Sequence, residues 1–240
     1  MKNYSIEVSS IETLGLLDGP GVRIVIFLSR CNLRCIFCHN PESWACRGNE
    51  YTADELYKKI LKYKNYIKNG GVTFSGGEPL LQSKQLIPLI LMLKREGIHV
   101  AIDTAGYVEL TDDVKKVIEL SDLIIMDIKS TCPDGYKKIC GGEIELQDNF
   151  ISYLNSVDKM IWIRQVIVPG INDSEQYINQ FNEYIKKISN VDNVELLGYH
   201  GMAKKKYEEL NIKYSLSDVP DMDFNRLKEL RENVIFSKKQ

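Results

Sequence analysis

Three thiols, Cys31, Cys35 and Cys38, stand within eight residues, separated by three residues and then two. They directly follow Val22–Leu28, a β-branched apolar run that reads as a buried strand. A loop leaving a strand end can turn all three sulfurs toward one point, and soft thiolates there suit zinc or iron–sulfur iron. A [4Fe–4S] cube ordinarily takes four cysteines. Three would leave one iron open, which is useful only if that iron binds a reactant. The alternative is a structural zinc completed by His39 or Cys46. Adjacent ligands such as Cys38 and His39 are awkward on one tetrahedral ion, and no second cysteine pair follows. Six cysteines in a chain that opens without a secretory apolar segment fit a reducing cytoplasm better than a disulfide framework.

The elements that must position these thiols alternate along the chain. An edge strand is expected over Tyr4–Ser10, followed by the tight turn Asp18-Gly19-Pro20-Gly21. Thr52-Ala53-Asp54-Glu55 is a capping box that opens a helix running to about Ile67. The strand Gly71–Ser75 breaks into Gly76-Gly77-Glu78-Pro79, and the helix Ser83–Glu96 stops at Gly97. Strands follow at Ile98–Ile102, Asp122–Met126, Met160–Val168 and Val194–His200. Helices are expected at Thr111–Leu120, Ser174–Ile188 and Asp223–Asn233, with a less regular, partly helical stretch over Asp134–Ser156. Val234-Ile235-Phe236 is expected to pack back.

Six strands alternating with helices make an α/β protein with a parallel sheet and right-handed crossovers. Six units fall short of the eight of a closed barrel, so the expected fold is a partial, open (β/α)6 barrel. A doubly wound open sheet would give a similar string. The partial barrel is favoured because the thiols, Gly76-Gly77-Glu78, Asp103, Asp127 with Lys129, Arg164 and His200 each fall at or near the carboxyl end of a different strand. That edge is where sites assemble in parallel barrels. The 240 residues suit one domain: residues 1–21 as N-terminal strand and loop, 22–200 as the six β/α units, 201–240 as an extension. A net charge of −2 gives no electrostatic case for nucleic acid, and 44% hydrophobic residues without a spanning run give none for a membrane.

The CxxxCxxC loop with the aromatic Phe37 before its third cysteine resembles the radical S-adenosylmethionine (SAM) superfamily. The flanking text is narrower. Asp18-Gly19-Pro20-Gly21-Val22-Arg23, Cys38-His39-Asn40-Pro41-Glu42, Ser75–Leu80, Asp103-Thr104-Ala105-Gly106, Trp162-Ile163-Arg164 with Val168-Pro169-Gly170, and Leu196–His200 resemble the glycyl-radical-enzyme activases over nearly the whole chain. Two departures stand out: Ser29-Arg30 precedes Cys31 where that family usually has a Gly, and Gly198 stands where Pro is usual. Only Cys46 lies between Cys38 and Gly76, so the ferredoxin-like insert of some activases is absent, as in the short, pyruvate formate-lyase type.

The resemblance implies that Cys31, Cys35 and Cys38 hold a [4Fe–4S] cluster whose open iron chelates SAM. One-electron reduction then yields a 5′-deoxyadenosyl radical that takes hydrogen from a glycine of a partner enzyme. The cofactor carries that chemistry, so no side-chain acid, base or nucleophile is expected. It further implies SAM contacts from Phe37, Cys38, His39, Gly76, Gly77, Glu78, Asp103, the run Asp127-Ile128-Lys129-Ser130-Thr131, Arg164 and His200. Asp18 and Arg164 are the candidates for touching the protein substrate. Asp103, Thr104 and Asp127 are the candidates for a monovalent cation, with Lys129 as the competing partner for the two carboxylates. Expected partners are a glycyl radical enzyme of the pyruvate formate-lyase kind and a flavodoxin or ferredoxin as electron donor, around a cytoplasmic monomer. Three alternatives keep their place: an activase of a different glycyl radical enzyme, a small-molecule radical SAM enzyme of the 7-carboxy-7-deazaguanine synthase kind, and a zinc-stabilised binding module.

Overall fold

The computed structural model describes residues 5–44 and 48–235. The expectations placed on Cys46 and Phe236 lie outside those residues. The chain divides into two compact units, residues 1–32 with 43–125 and residues 33–42 with 126–240.

In the first unit, β2 (Arg23–Leu28), β4 (Gly71–Gly76) and β5 (Val100–Thr104) run parallel, with Arg23 opposite Gly71 and Val72 opposite Val100. β1 (Ile6–Gly15) pairs antiparallel with β2, and the short β3 (Asn49–Tyr51) pairs antiparallel with β1. The order is therefore β3-β1-β2-β4-β5, and β6 (Leu123–Asp127) begins in this unit. β1 runs five residues past its expected end at Ser10, because pairing with β2 continues to Gly15 opposite Arg23. Ile24, Val25, Ile26 and Leu28 are buried almost completely, as a strand covered on both faces requires.

Helix α1 (Ala53–Leu61) opens on the expected capping box: Thr52 accepts from Glu55 N while the Glu55 side chain accepts from Thr52 N. It ends six residues before Ile67, in a series of turns. In α2 (Ser83–Arg95), Leu86, Leu89, Ile90 and Leu93 recur at helical spacing and are fully buried. Thr111 caps α3 (Asp112–Leu120).

The second unit holds the end of β6, then β7 (Ile161–Ile167) and β8 (Val191–Gly198), which are parallel with Arg164 opposite Glu195. The stretch expected to be irregular is two helices, α4 (Pro133–Cys140) and α5 (Ile144–Ser156). Gly141, at φ 71°, ends α4 in the left-handed cap that glycine favours, and the adjacent Gly141-Gly142 pair disguised both helices in the sequence. α6 (Glu175–Ile185) buries Ile178, Phe181 and Ile185, and α8 (Phe224–Glu232) buries Leu227 and Leu230. A helix no periodicity announced, α7 (Lys204–Glu209), follows a single 3-10 turn at Gly201–Ala203. The open, mostly parallel α/β arrangement expected from the strand–helix alternation is present. No helix among the described residues is long and apolar enough to cross a membrane.

Candidate functional site

In the first unit, Gly76 and Gly77 leave the end of β4 in a conformation few residues tolerate. Gly76 has φ 108°, and a Cβ there would lie 2.3 Å from Leu28 N. A Cβ on Gly77 would lie 2.0 Å from Arg30 O. The backbone is locked in place as Gly77 N donates to Leu28 O and Glu78 N to Arg30 O, both at 2.8 Å. The glycines thus let the turn press against the start of the thiol loop, a reason within the protein for residues expected to admit SAM.

Glu78 follows, 2% exposed. Its Oε1 accepts from Thr104 Oγ1 at 2.7 Å and Leu80 N at 3.1 Å, and its Oε2 accepts from Ala105 N at 3.1 Å. Thr104 Oγ1 in turn accepts from Gly106 N at 2.9 Å. Burial pushes the Glu78 carboxyl up to about 7 even though three donors favour its charged form. This carboxylate braces the β4 turn to the end of β5. Asp103 accepts from Ser75 Oγ at 2.7 Å.

The opposite end of the same strands carries Asp18-Gly19-Pro20-Gly21. Arg23, fully buried, holds this loop: Nη1 donates to Pro20 O at 3.0 Å, Nη2 to Val72 O at 2.8 Å, and Nε to Thr73 Oγ1 at 2.6 Å. Thr73 passes the bond on to Asp18 O at 2.6 Å. His99 Nδ1 lies 3.1 Å from Nη2 and accepts from it. Burial brings the guanidinium down to about 10, which still leaves it charged at neutral pH. Asp18 is flanked by the exposed apolar side chains Leu14, Leu16 and Leu17. Arg30, where the family usually has Gly, has φ 73° and so takes the glycine conformation. Its Nε donates to Glu7 Oε2 at 2.9 Å, directing the cation back along β1.

In the second unit, the part of the thiol loop carrying Cys35 and Cys38 is fastened to the end of α4. Arg34 N donates to Cys140 O at 3.0 Å and Ile36 N to Ile139 O at 2.8 Å. Phe37 is buried, with Lys129 Nζ 5.6 Å from its ring centre. Lys129 Nζ also donates to Asp127 Oδ2 at 2.7 Å, so the carboxylate ending β6 has a lysine as its cation. Ile128 N donates to Arg164 O at 2.8 Å, Lys129 N to Gln147 Oε1 at 3.3 Å, and Ser130 Oγ to Cys132 O at 3.2 Å. Thr131 leads from there into α4.

His39 and His200 stack with ring centres 4.1 Å apart, and His39 Nε2 lies 3.2 Å from His200 O. Burial, then the neighbouring His200, lowers the His39 pKa. His200 Nδ1 is buried without a hydrogen-bond partner, an orphan of the kind a ligand satisfies. Arg164 corrects its expected placement. It is the fourth residue of β7 rather than its end, because pairing with β8 carries the strand on to Ile167. There it donates from Nε to Glu195 Oε2 at 3.1 Å.

Sequence reasoning missed Lys206 and Tyr207 of α7. Lys206 Nζ donates to Asn40 Oδ1 at 2.9 Å and Glu42 Oε1 at 2.6 Å, and Tyr207 Oη to Cys38 O at 3.2 Å. They clamp Cys38-His39-Asn40-Pro41-Glu42 from the far end of the chain. The one signal for them was the acidic Glu42 in a buried turn, which calls for a cation.

The donor set fits an iron–sulfur cube. It is made of three thiols in one loop, the ligand chemistry of such a cube. No group of three or more His, Cys, Asp or Glu side chains that could share a single metal ion occurs among the described residues, whereas a cube spreads its thiolates over separate irons.

Comparison with known proteins agrees with this reading. The profile of the 4Fe-4S single cluster domain family matches residues 17–131. The chain is 45% identical over 228 residues to the pyruvate formate-lyase-activating enzyme of Clostridium pasteurianum, covering 94% of this chain and 95% of that one. It is 36% identical over 234 residues to the enzyme of the same name from Streptococcus mutans, covering 94% and 89%. Among solved structures, Streptococcus suis SuiB bound to its precursor peptide SuiA superposes with a TM-score of 0.66 at 20% identity, over 88% of this chain and 44% of that one, a likeness of fold.

Proposed function

The chain belongs to the family of pyruvate formate-lyase-activating enzymes, and from that premise we propose that it abstracts hydrogen from a glycine of pyruvate formate-lyase and so activates it. The observation that carries the reading is a three-thiol loop following a parallel strand, in a chain alike over 94% of its length to an activating enzyme of that name. When bound by Cys31, Cys35 and Cys38, the cluster with S-adenosylmethionine supplies the reductive chemistry that yields the 5′-deoxyadenosyl radical.

The chain's own residues position and shield. Phe37 and the Lys129–Asp127 pair form an apolar and charged wall beside Cys38. His200 offers its open Nδ1 to the ribose or adenine of S-adenosylmethionine. Glu78 contributes by fixing the Gly76-Gly77 backbone, since its carboxylate oxygens already accept three protein hydrogen bonds. Asp18 follows the exposed Leu14, Leu16 and Leu17 in the chain and stands at the end of the strands opposite Gly76-Gly77, so the contact assigned to it is with a part of the protein substrate away from the reacting glycine. We assign the electron to a flavodoxin or ferredoxin and the working form to a cytoplasmic monomer.

The test is anaerobic reconstitution with iron and sulfide, reduction, and mixing with S-adenosylmethionine and pyruvate formate-lyase. A glycyl doublet in the electron paramagnetic resonance spectrum is expected. A cluster that cleaves S-adenosylmethionine yet raises no doublet on any glycyl radical enzyme would move the assignment to a small-molecule substrate.

A further inference from the structure

Two cysteines lie side by side where the cluster loop is fastened to α4. Cys35 lies between two backbone hydrogen bonds to the end of that helix, from Arg34 N to Cys140 O and from Ile36 N to Ile139 O. The Cys140 side chain is 1% exposed and the Cys35 side chain 9%. The two backbone bonds set residues 35 and 140 side by side in the interior, and Cys140 Sγ donates to Tyr136 O at 3.0 Å. Cys140 has no part in the cluster set and stands on a different element, so its placement against one of the three ligands calls for its own account. The paired backbone bonds bring the main chains of residues 35 and 140 alongside each other, the close approach that a disulfide demands.

We propose that Cys35 and Cys140 are a reversible redox pair that forms a disulfide when the protein lacks its cluster and meets a peroxide. Each thiol gives up its hydrogen as the S–S bond forms, and hydrogen peroxide takes up the two electrons and two protons to become two waters. The oxidised chain is held with one cluster ligand withdrawn, so iron cannot be rebuilt on it. A dithiol reductant returns both sulfurs by exchange through a mixed disulfide. The ligand is thereby parked as a disulfide, which a thiol restores, and kept from oxidation to sulfinic acid, which a thiol does not reverse. The consequence for iron rests on the three-thiol cluster reading; formation of the disulfide does not.

The experiment uses the full chain, stripped of iron under argon and treated with equimolar hydrogen peroxide. Remaining thiols are alkylated, and the unreduced digest is mapped by mass spectrometry. The expected result is a linked peptide pair containing Cys35 and Cys140, two hydrogens lighter than the separate peptides. Iron uptake on anaerobic reconstitution should fall at least tenfold and return with dithiothreitol. In Cys140→Ser given excess peroxide, two peroxides per thiol should carry Cys35 to sulfinic acid with release of two waters, and dithiothreitol should no longer restore uptake. Cys35 linked instead to Cys38 or Cys31, or oxidised without any link in the wild-type chain, would overturn the proposal. Because the wild-type map decides it, a variant that fails to fold leaves the outcome intact. Untreated protein that takes up no iron, yet shows the Cys35–Cys140 link, would defeat the cluster reading and leave the redox pair standing.

Discussion

Arg23 and Glu78 sit toward opposite ends of the same parallel strands, and each is a single buried charge held by neutral groups. Arg23 gives its hydrogens to Pro20 O, Val72 O, Thr73 Oγ1 and His99 Nδ1; Glu78 receives them from Leu80 N, Thr104 Oγ1 and Ala105 N. Burial disfavours both charges, yet the consequences differ. The guanidinium falls to about 10 and stays charged under all ordinary conditions, whereas the carboxyl rises to about 7 and stands at its midpoint near neutrality. One end of the strands is therefore a fixed anchor for a loop. The other end can change its charge beside the turn that carries Gly76 and Gly77. The same physics gives permanence or responsiveness according to how far the group's ordinary pKa lies from 7.

Removing the anchor tests the first half of that contrast and should have the largest effect. Arg23→Met keeps length and apolar stem but strips every donor, leaving Thr73, Val72 O and Pro20 O short of partners. A loss of about 3 to 4 kcal/mol is expected in urea unfolding, with faster proteolysis between Leu16 and Gly21. A loss below about 1 kcal/mol would mean that water replaces the guanidinium and that the end is not fixed.

The second half is tested by pH. A carboxyl whose folded pKa is raised contributes stability that is complete below about 4.5 and is lost as pH climbs through about 7. The full swing is on the order of 3 kcal/mol. Glu78→Gln, which mimics the protonated side chain, should flatten the fall in melting temperature across that window relative to wild type. Parallel curves for the two proteins would show that Glu78 is ionised throughout and that the ends do not differ as argued.

Thr104→Val makes the smaller change. It removes one donor to Glu78 and the acceptor of Gly106 N, so a loss of about 1 to 2 kcal/mol is expected at pH 7. The carboxyl should then titrate at still higher pH, moving the inflection of the stability curve upward. An unmoved inflection would remove Thr104 from the brace.

Much of this was legible in the sequence where the signal is local. The run Val22–Leu28 showed its burial through its β-branched residues, Thr52 with Glu55 announced α1, and the spacing of the three cysteines narrowed their chemistry to zinc or iron–sulfur iron, between which the family resemblance chose. What was not legible depends on partners distant along the chain. Glu78 reads as a ligand in a motif until Thr104, 26 residues on, is seen to occupy it. Arg23 reads as the last letter of a loop motif until its four acceptors are in place. Lys206 closes on Glu42 across 164 residues, from a helix too short to show a period. His99, one residue before β5, is the acceptor for Arg23, and Arg30 holds a positive φ of 73°.

The central claim is that this chain takes hydrogen from a protein glycine, and isotope transfer tests it most directly. Reduced, reconstituted protein would be incubated with S-adenosylmethionine and a pyruvate formate-lyase fragment carrying deuterium only at the Cα of its target glycine. The 5′-deoxyadenosine formed should carry one deuterium. Unlabelled 5′-deoxyadenosine, formed while the glycine keeps its label, would contradict the account.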